Sequence, residues 1–411
     1  MNHIIDDNKK KCCGCNNCCN ICPTKAITMI EDNEGFFYPH IDKNKCINCG
    51  ACKKVCPWIN DIKRNEYFEE PECFAAKIKD KKIQKQSTSG GMFYALASNV
   101  IDRGGLVVGS EMDLNHKVHH KIIEQKSDLH RIMGSKYVYS ELNDIFNTVK
   151  NHLIKGKLVL FSGVPCQVSA LLNYLKKPFD NLITVEVICH GTPPQKLFDK
   201  YVDFLEKKHK AKLIQYSFRS KKAAKWGTFK AFALFEKNTH GKKEKTYKYI
   251  NADFDPYYWS FLNAKNYREC CYECKFASKE RFADITLGDC WGIEQIKPEM
   301  IDYEGVSVAI INTLKGKTLF NNTIEKIECS KVSFDLIQNN NEQLKCPSIR
   351  NADRETWYNN FNQEDFINNI QIKKNIKSYI KLVCPQKLKF VTKIITSKIK
   401  NKGDKYEKIK K

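Results

Sequence analysis

Several things are missing from this 411-residue sequence. No apolar run approaches the roughly 18 residues that a bilayer-spanning helix needs, so the chain reads as soluble or peripheral. No signal peptide is visible, because residues 1–11 are polar and basic. A secreted, disulfide-framed protein is therefore not expected despite 20 cysteines. No repeat of 20–50 residues appears, apart from one doubled cysteine run. Acidic side chains are also scarce, with 47 Asp and Glu against 69 Lys and Arg, for a net charge of +22. The excess is concentrated at one end. Residues 371–411 hold 14 Lys against Asp404 and Glu407, which is +12 of that total. A nucleic-acid enzyme would spread its basic residues along a groove of the body, so nucleic acid is not an expected partner.

The cysteines that are present fall into a pattern. Cys12-x2-Cys15-x2-Cys18-x3-Cys22-Pro23 is followed by Cys46-x2-Cys49-x2-Cys52-x3-Cys56-Pro57. Three close thiolates wrap one face of a cubane, and the fourth, before proline, serves the other cluster. Cys12, Cys15, Cys18 and Cys56 are assigned to one 4Fe-4S cluster, and Cys46, Cys49, Cys52 and Cys22 to a second. Residues 26–30 and 35–41 read as a hairpin between the runs. Structural zinc also uses paired Cys-x2-Cys, but not this doubled four-cysteine spacing. Cys13 and Cys19 read as bystanders. Two clusters imply one-electron transfer, a reducing cytoplasm and an anaerobic setting.

A ferredoxin-type module of residues 1–60 leaves most of the chain for a larger domain. Residues 61–71 read as a charged linker. From residue 72 to 360 the pattern alternates strand and helix. Strands are expected near 73–78, 106–109, 118–123, 157–161 and 183–188, with helices over 92–101, 167–176 and from Pro194 to about 208. Strands near 213–218, 229–236 and 245–250 look antiparallel. The fold class is therefore mixed α+β and α/β, a ferredoxin-like domain fused to a larger mixed-sheet α/β domain. Residues 361–411 form a basic helical tail in this reading. There Leu388, Phe390, Val391, Ile394, Ile395 and Ile399 follow helical spacing among lysines. Such a tail suits either docking on the body or peripheral contact with an anionic membrane.

Four further cysteines sit where a site would be built. Cys166 and Cys189 each follow a strand end, and Cys271-x2-Cys274 adds a pair. Ligands gather at strand ends in α/β sheets. A third cubane, a structural zinc, or buried cysteines acting as small hydrophobes all fit that spacing.

Seven short segments occur in a telling order. They are Ser-Gly-Gly at 89–91, Gly-Ser-Lys-Tyr-Val at 134–138, Val-Pro-Cys-Gln at 164–167, Cys-His-Gly at 189–191, Phe-Arg-Ser-Lys at 218–221, Cys-Tyr-x-Cys at 271–274, and Ala-Asp-Ile-Thr-Leu-Gly-Asp-x-Trp-Gly at 283–292. Over about residues 8–320 the chain resembles the coenzyme F420 hydrogenase/dehydrogenase beta-subunit family, in its bacterial branch with a fused two-cluster ferredoxin module. The resemblance implies a flavin beside a cubane cluster, with electrons passing between cluster and deazaflavin by way of the flavin. It implies Cys166, Cys189, Cys271 and Cys274 as ligands of a third 4Fe-4S cluster. Cys270 stands where this family usually has Ser, and Cys290 where an aromatic is common.

With that order in hand, Ser89, Gly90 and Gly91 before a helix become the candidate flavin-phosphate loop. Gly134, Ser135, Lys136 and Tyr137 are the second candidate flavin segment. Lys136 would pair a phosphate or a reduced flavin's charge. Arg219 and Trp226 could line an acceptor pocket, and His190 could relay protons. His119 and His120 face opposite sides of a strand, which reads as solvated rather than metal-binding. The expected function is a flavin-dependent (FAD or FMN) iron–sulfur oxidoreductase. F420 or another deazaflavin, a sugar intermediate or a quinone would be the acceptor. A non-catalytic electron-transfer subunit serving a redox partner protein, and an iron–sulfur scaffold or sensor, are the alternatives.

Overall fold

The computed structural model describes residues 8–61, 67–222, 225–239 and 241–372. The amphipathic pattern over Leu388–Ile399 lies outside the described residues.

Residues 8–61 hold a hairpin of β1 (Ile27–Glu31) and β2 (Phe37–Ile41), in which Ile27 pairs with Ile41. Each cysteine run carries one short helix, α1 (Asn17–Ile21) and α2 (Ala51–Lys54), entered through a left-handed residue, Asn16 or Gly50. The core between them consists of Cys18, Ile27, Ile41, Cys52 and Cys56. So little apolar area cannot hold a domain without help, and ligation is the usual help in modules this small.

The larger body is built on eight strands. They are β3 (Tyr67–Ile78), β4 (Leu106–Met112), β5 (Val118–Ile123), β6 (Val159–Gly163), β7 (Leu182–Val187), then, after a separate sheet, β11 (Ile285–Asp289), β12 (Ser307–Thr313) and β13 (Ile327–Val332). Their spatial order is β13-β3-β12-β11-β7-β6-β4-β5. The central pairs β4–β6, β6–β7 and β7–β11 are parallel, and antiparallel strands flank them on both sides. The separate sheet is an antiparallel meander of β8 (Lys212–Ser217), β9 (Lys230–Thr239) and β10 (Lys242–Asn251).

Both faces of the large sheet are covered, as a parallel centre requires. In β6, Leu160 packs into one apolar core with Met92, Ala95 and Val100 of helix α3 (Met92–Asp102). Its neighbours Val159 and Phe161 pack on the opposite face with Val168 and Leu171 of helix α4 (Pro165–Leu175). Successive side chains on opposite faces are what the pleat dictates. A third core is aromatic. Phe198 and Tyr201 of helix α5 (Gln195–His209) meet Tyr216, Phe218, Tyr257 and Tyr258.

Two boundaries differ from the sequence reading. Tyr67–Pro71 are strand residues of β3, not linker. Phe361, Phe366 and Ile367 are buried in the aromatic core, so the body continues past residue 360. Their hydrophobicity is spent on packing. No described helix is long and apolar enough to cross a membrane.

Candidate functional site

Cys22, Cys46, Cys49 and Cys52 line one cavity with Thr24, Ile27 and Asn48. The fourth cysteine of the first run thus joins three of the second. The complementary set also gathers. The Cys18 thiol is raised by Cys19, by burial and by the nearby Cys12 and Cys56, while Cys18 in turn acts on Cys15. The two sets differ in exposure. Cys49 is exposed, Cys22 and Cys46 are half-buried and Cys52 is buried, whereas in the other set Cys12 is half-buried and Cys15, Cys18 and Cys56 are buried. One set looks outward and the other faces the body.

A second thiol site lies at the carboxyl end of the parallel strands. β6 and β7 are neighbours, with Gly163 paired to Glu186 at their ends. Cys166 sits in the first turn of α4 and Cys189 just past β7. Cys271 belongs to a 3-10 turn, Glu269–Glu273, which Cys274 closes. All four thiols line a single cavity, together with Cys13, Trp58, Tyr139, Arg268, Cys270 and Arg281. Burial raises the Cys189 thiol and lifts Cys274 to about 12. Arg281 fixes the cysteine loop, donating to Ser278 O at 2.8 Å and to Glu186 Oε1 at 2.6 Å.

Among the described residues, no three His, Cys, Asp or Glu side chains converge on the position of one metal ion. The thiols surround a space rather than a point. The four expected ligands are all sulfur, the donor type that iron–sulfur clusters take. The indole N–H of Trp58, at the same cavity, is buried with no acceptor among the described residues. This chemistry fits a cubane, whose sulfurs accept hydrogen bonds.

Cys13 is not the bystander that the spacing suggests. It is buried at the body-facing cavity that Cys166 also lines, in one packed cluster with Cys15 and Cys166. It therefore packs in one cluster with a cysteine from each site.

The two candidate flavin segments meet. Ser135 N donates to Thr88 Oγ1 at 2.9 Å. Ser89 and Gly90 are tied to the sheet, Ser89 Oγ donating to Val306 O and Gly90 N to Ser307 Oγ, each at 2.9 Å. A Cβ at Gly90 would stand 2.4 Å from Ala76 O, so close backbone approach demands glycine there. Gly91 caps α3 in the left-handed region, and Gly134 is left-handed too. Lys136 points inward, its Nζ donating to Ser110 O at 2.7 Å and Met133 O at 2.8 Å. Burial lowers that ammonium to about 7. Tyr137 stacks on Phe261 at 4.3 Å between centroids.

The acceptor candidates form one cluster around a residue that the sequence reading left without a role. Asp289, at the end of β11, receives Arg219 Nη1 at 2.6 Å and Trp226 Nε1 at 2.6 Å. Burial alone would raise its carboxyl, but the charge and hydrogen bonds of Arg219 hold it below the usual range. Trp226 stacks flat on Trp291 at 5.0 Å, and the Arg219 guanidinium lies over Phe229 at 4.9 Å. His190 lines the cysteine cavity, and burial lowers its pKa. Asp289 was findable, since it is the Asp of Gly-Asp-x-Trp-Gly.

His119 lies 3.7 Å from Glu111. His120 corrects the solvated-strand reading. It is buried, with Nε2 3.1 Å from Ser162 O and Nδ1 2.8 Å from Ser140 Oγ.

Comparison with known proteins gives three family matches. The N-terminal part of the coenzyme F420 hydrogenase/dehydrogenase beta subunit matches residues 73–147, and its C-terminal part matches residues 156–335. A 4Fe-4S dicluster domain matches residues 11–59. No curated protein sequence matches the chain. Among solved structures, the xenon-derivatised F420-reducing NiFe hydrogenase complex from Methanosarcina barkeri is similar at 17% identity. That likeness covers 68% of this chain and 89% of that one, with a TM-score of 0.45.

Proposed function

Because the chain belongs to the coenzyme F420 hydrogenase/dehydrogenase beta-subunit family and carries a 4Fe-4S dicluster domain, we propose that it is a flavin-dependent iron–sulfur oxidoreductase. Its electrons would come from a redox partner and go to a two-electron carrier of the F420 type. The observation that carries this reading is the shared cavity, where Cys13 of the cysteine module lines one space with Cys166, Cys189, Cys271 and Cys274.

In this reading, Cys22, Cys46, Cys49 and Cys52 hold an outer cluster, and Cys12, Cys15, Cys18 and Cys56 an inner one. Cys166, Cys189, Cys271 and Cys274 hold a third. Bound clusters supply one-electron transfer, and a bound flavin supplies the conversion to two-electron chemistry. The chain's own residues set the order. Exposed Cys49 marks the side that faces a partner. Cys13 and Trp58 of the cysteine module both line the cavity of the third site.

The flavin surface would run from the first turn of α3, whose backbone N–H groups suit a phosphate, past Ser135 to Tyr137. Lys136 shapes that surface by pinning Ser110 O and Met133 O. Asp289 holds Arg219 and Trp226 at the acceptor end, where a guanidinium suits an anionic carrier and an indole suits a planar ring. Burial favours a neutral His190, so a ring nitrogen is available to take a proton near Cys189.

The family name, beta subunit, favours one further reading, a chain that delivers electrons to a partner enzyme. Both are tested by counting flavin in anaerobically purified protein, then mixing the dithionite-reduced chain with F420. One flavin with turnover supports the enzyme. One flavin without turnover supports the subunit. Absence of flavin overturns the central reading.

A further inference from the structure

We propose that Arg268 is the counter-charge of the inner and third clusters, and that it holds their reduction potentials above that of the outer cluster. This rests on the cluster assignment above. Arg268 is buried, with 2% of its surface exposed. Its Nε donates to Cys12 O and its Nη2 to Phe37 O, both at 2.6 Å. Nη2 also lies 3.8 Å from Cys12 Sγ. The guanidinium is seated over Tyr38, 4.1 Å from the ring centroid, and the side chain lines the cavity of Cys166, Cys189, Cys271 and Cys274. Gly14 makes room for it. That residue has φ +72°, and a Cβ there would stand 2.9 Å from Arg268 Nη1.

Three other arginines at or near this end of the body each have a carboxylate. Arg281 has Glu186, Arg219 has Asp289, and Arg354 has Glu34 and Glu269, all within 2.7 Å. None of the hydrogen-bond partners of Arg268 among the described residues is a carboxylate. A guanidinium does not shed its proton in proteins, and a buried charge without a counter-ion is strongly unfavourable. The groups around Arg268 that can carry negative charge are thiols and the phenols of Tyr38 and Tyr139, and burial raises both phenols and so keeps them neutral. Its guanidinium is 3.8 Å from Cys12 Sγ and its side chain lines the cavity with Cys13, Cys166, Cys189, Cys270, Cys271 and Cys274, whereas it is not among the residues lining the cavity of Cys22, Cys46, Cys49 and Cys52. Thiolates gathered on iron would supply the missing negative charge. A fixed positive charge beside a cluster favours the reduced, more negative state and so raises its potential. An outer cluster beyond its reach stays lower, and electrons then run inward.

The test is an EPR-monitored redox titration of the full chain, wild type against Arg268→Gln, with iron counted in both. The expected result is that at least one of the two buried clusters becomes at least tenfold harder to reduce at a fixed potential, a shift of 59 mV for one electron. The exposed cluster does not move, and Arg268→Lys restores the wild-type value. Tyr38→Glu, which offers Arg268 a carboxylate while keeping its hydrogen bonds, should lower the same cluster. Unmoved potentials, an equal shift in all clusters, or a Lys variant as low as the Gln variant would overturn the proposal. So would loss of iron from both Arg268→Gln and Tyr38→Glu, which would mark a structural latch. A wild type lacking the third cluster's iron refutes the cluster assignment instead, and is recognisable before any variant is titrated.

Discussion

His120 carries a prediction at the scale of one side chain. Burial lowers its pKa to about 4, against an ordinary 6.5. Between those values the unfolded chain binds the proton and the folded chain does not. Stability is therefore full above about pH 6.5 and is lost as the pH falls toward 4. The loss is on the order of 3 kcal/mol for a shift of this size. Comparing urea midpoints of wild type and His120→Gln across pH 4–7 isolates it, and the variant should show the smaller acid loss. Asp289 gives a second prediction. Replacing it with Asn leaves Arg219 buried with a weaker partner and breaks the Trp226–Asp289–Arg219 arrangement. Acceptor turnover should fall by tenfold or more, while the iron content stays at the wild-type level. At this scale the sequence is a partial guide. Lys136 is a cation in a glycine-bearing segment and reads as a phosphate ligand, yet its ammonium meets the carbonyls of Ser110 and Met133. Carbonyl positions depend on the path of the backbone, which residue type does not encode. Arg268 and Cys13 escaped notice for a related reason. Each draws its meaning from a residue far off in the chain.

Elements were easier to read where spacing itself is the constraint. The crossed cysteine pairing is a reading of that kind, since in this spacing the cysteine before proline serves the other cluster, and Cys22 does line one cavity with Cys46, Cys49 and Cys52. Its test is pairwise. Cys22→Ser should disturb the same EPR signal as Cys49→Ser, and Cys56→Ser the same signal as Cys15→Ser. The opposite pairing would show that each run holds its own cluster. Strands such as β6 and β7 were legible because a strand buried on both faces is mostly apolar, as Val159, Leu160 and Phe161 are in β6 and Leu182, Ile183 and Val185 in β7. β13 was not, because Ile327–Val332 mixes Glu, Ser and Lys into an edge strand that only its pairing with β3 defines. The hairpin turn has a role that its sequence hides. Glu34 accepts two hydrogen bonds from buried Arg354, at 2.9 and 2.7 Å, and so fastens the cysteine module to the body. Arg354 retains Glu269 at 2.6 Å when Glu34 is replaced. Glu34→Gln should thus cost about 1–3 kcal/mol, read from denaturant midpoints, without unfolding the chain.

At the scale of the whole molecule, the sheet explains why residues so far apart in sequence share one site. Four parallel strands finish at the same end, and the side chains beyond β6, β7 and β11 meet there, as the crevice rule for such sheets leads one to expect. The cysteine module is clamped over that end by Arg268 and Arg354 rather than tethered beside it. The motif order was enough to place the family and the sheet centre. The clamping was not legible, because it rests on pairs such as Glu34–Arg354 that span most of the chain. The central claim is a relay of three clusters. Its most direct test is the iron and acid-labile sulfide content of the chain purified without oxygen. The account predicts about twelve iron per chain, falling to about eight in the Cys271→Ser, Cys274→Ser double variant. A wild-type value of about eight would contradict it.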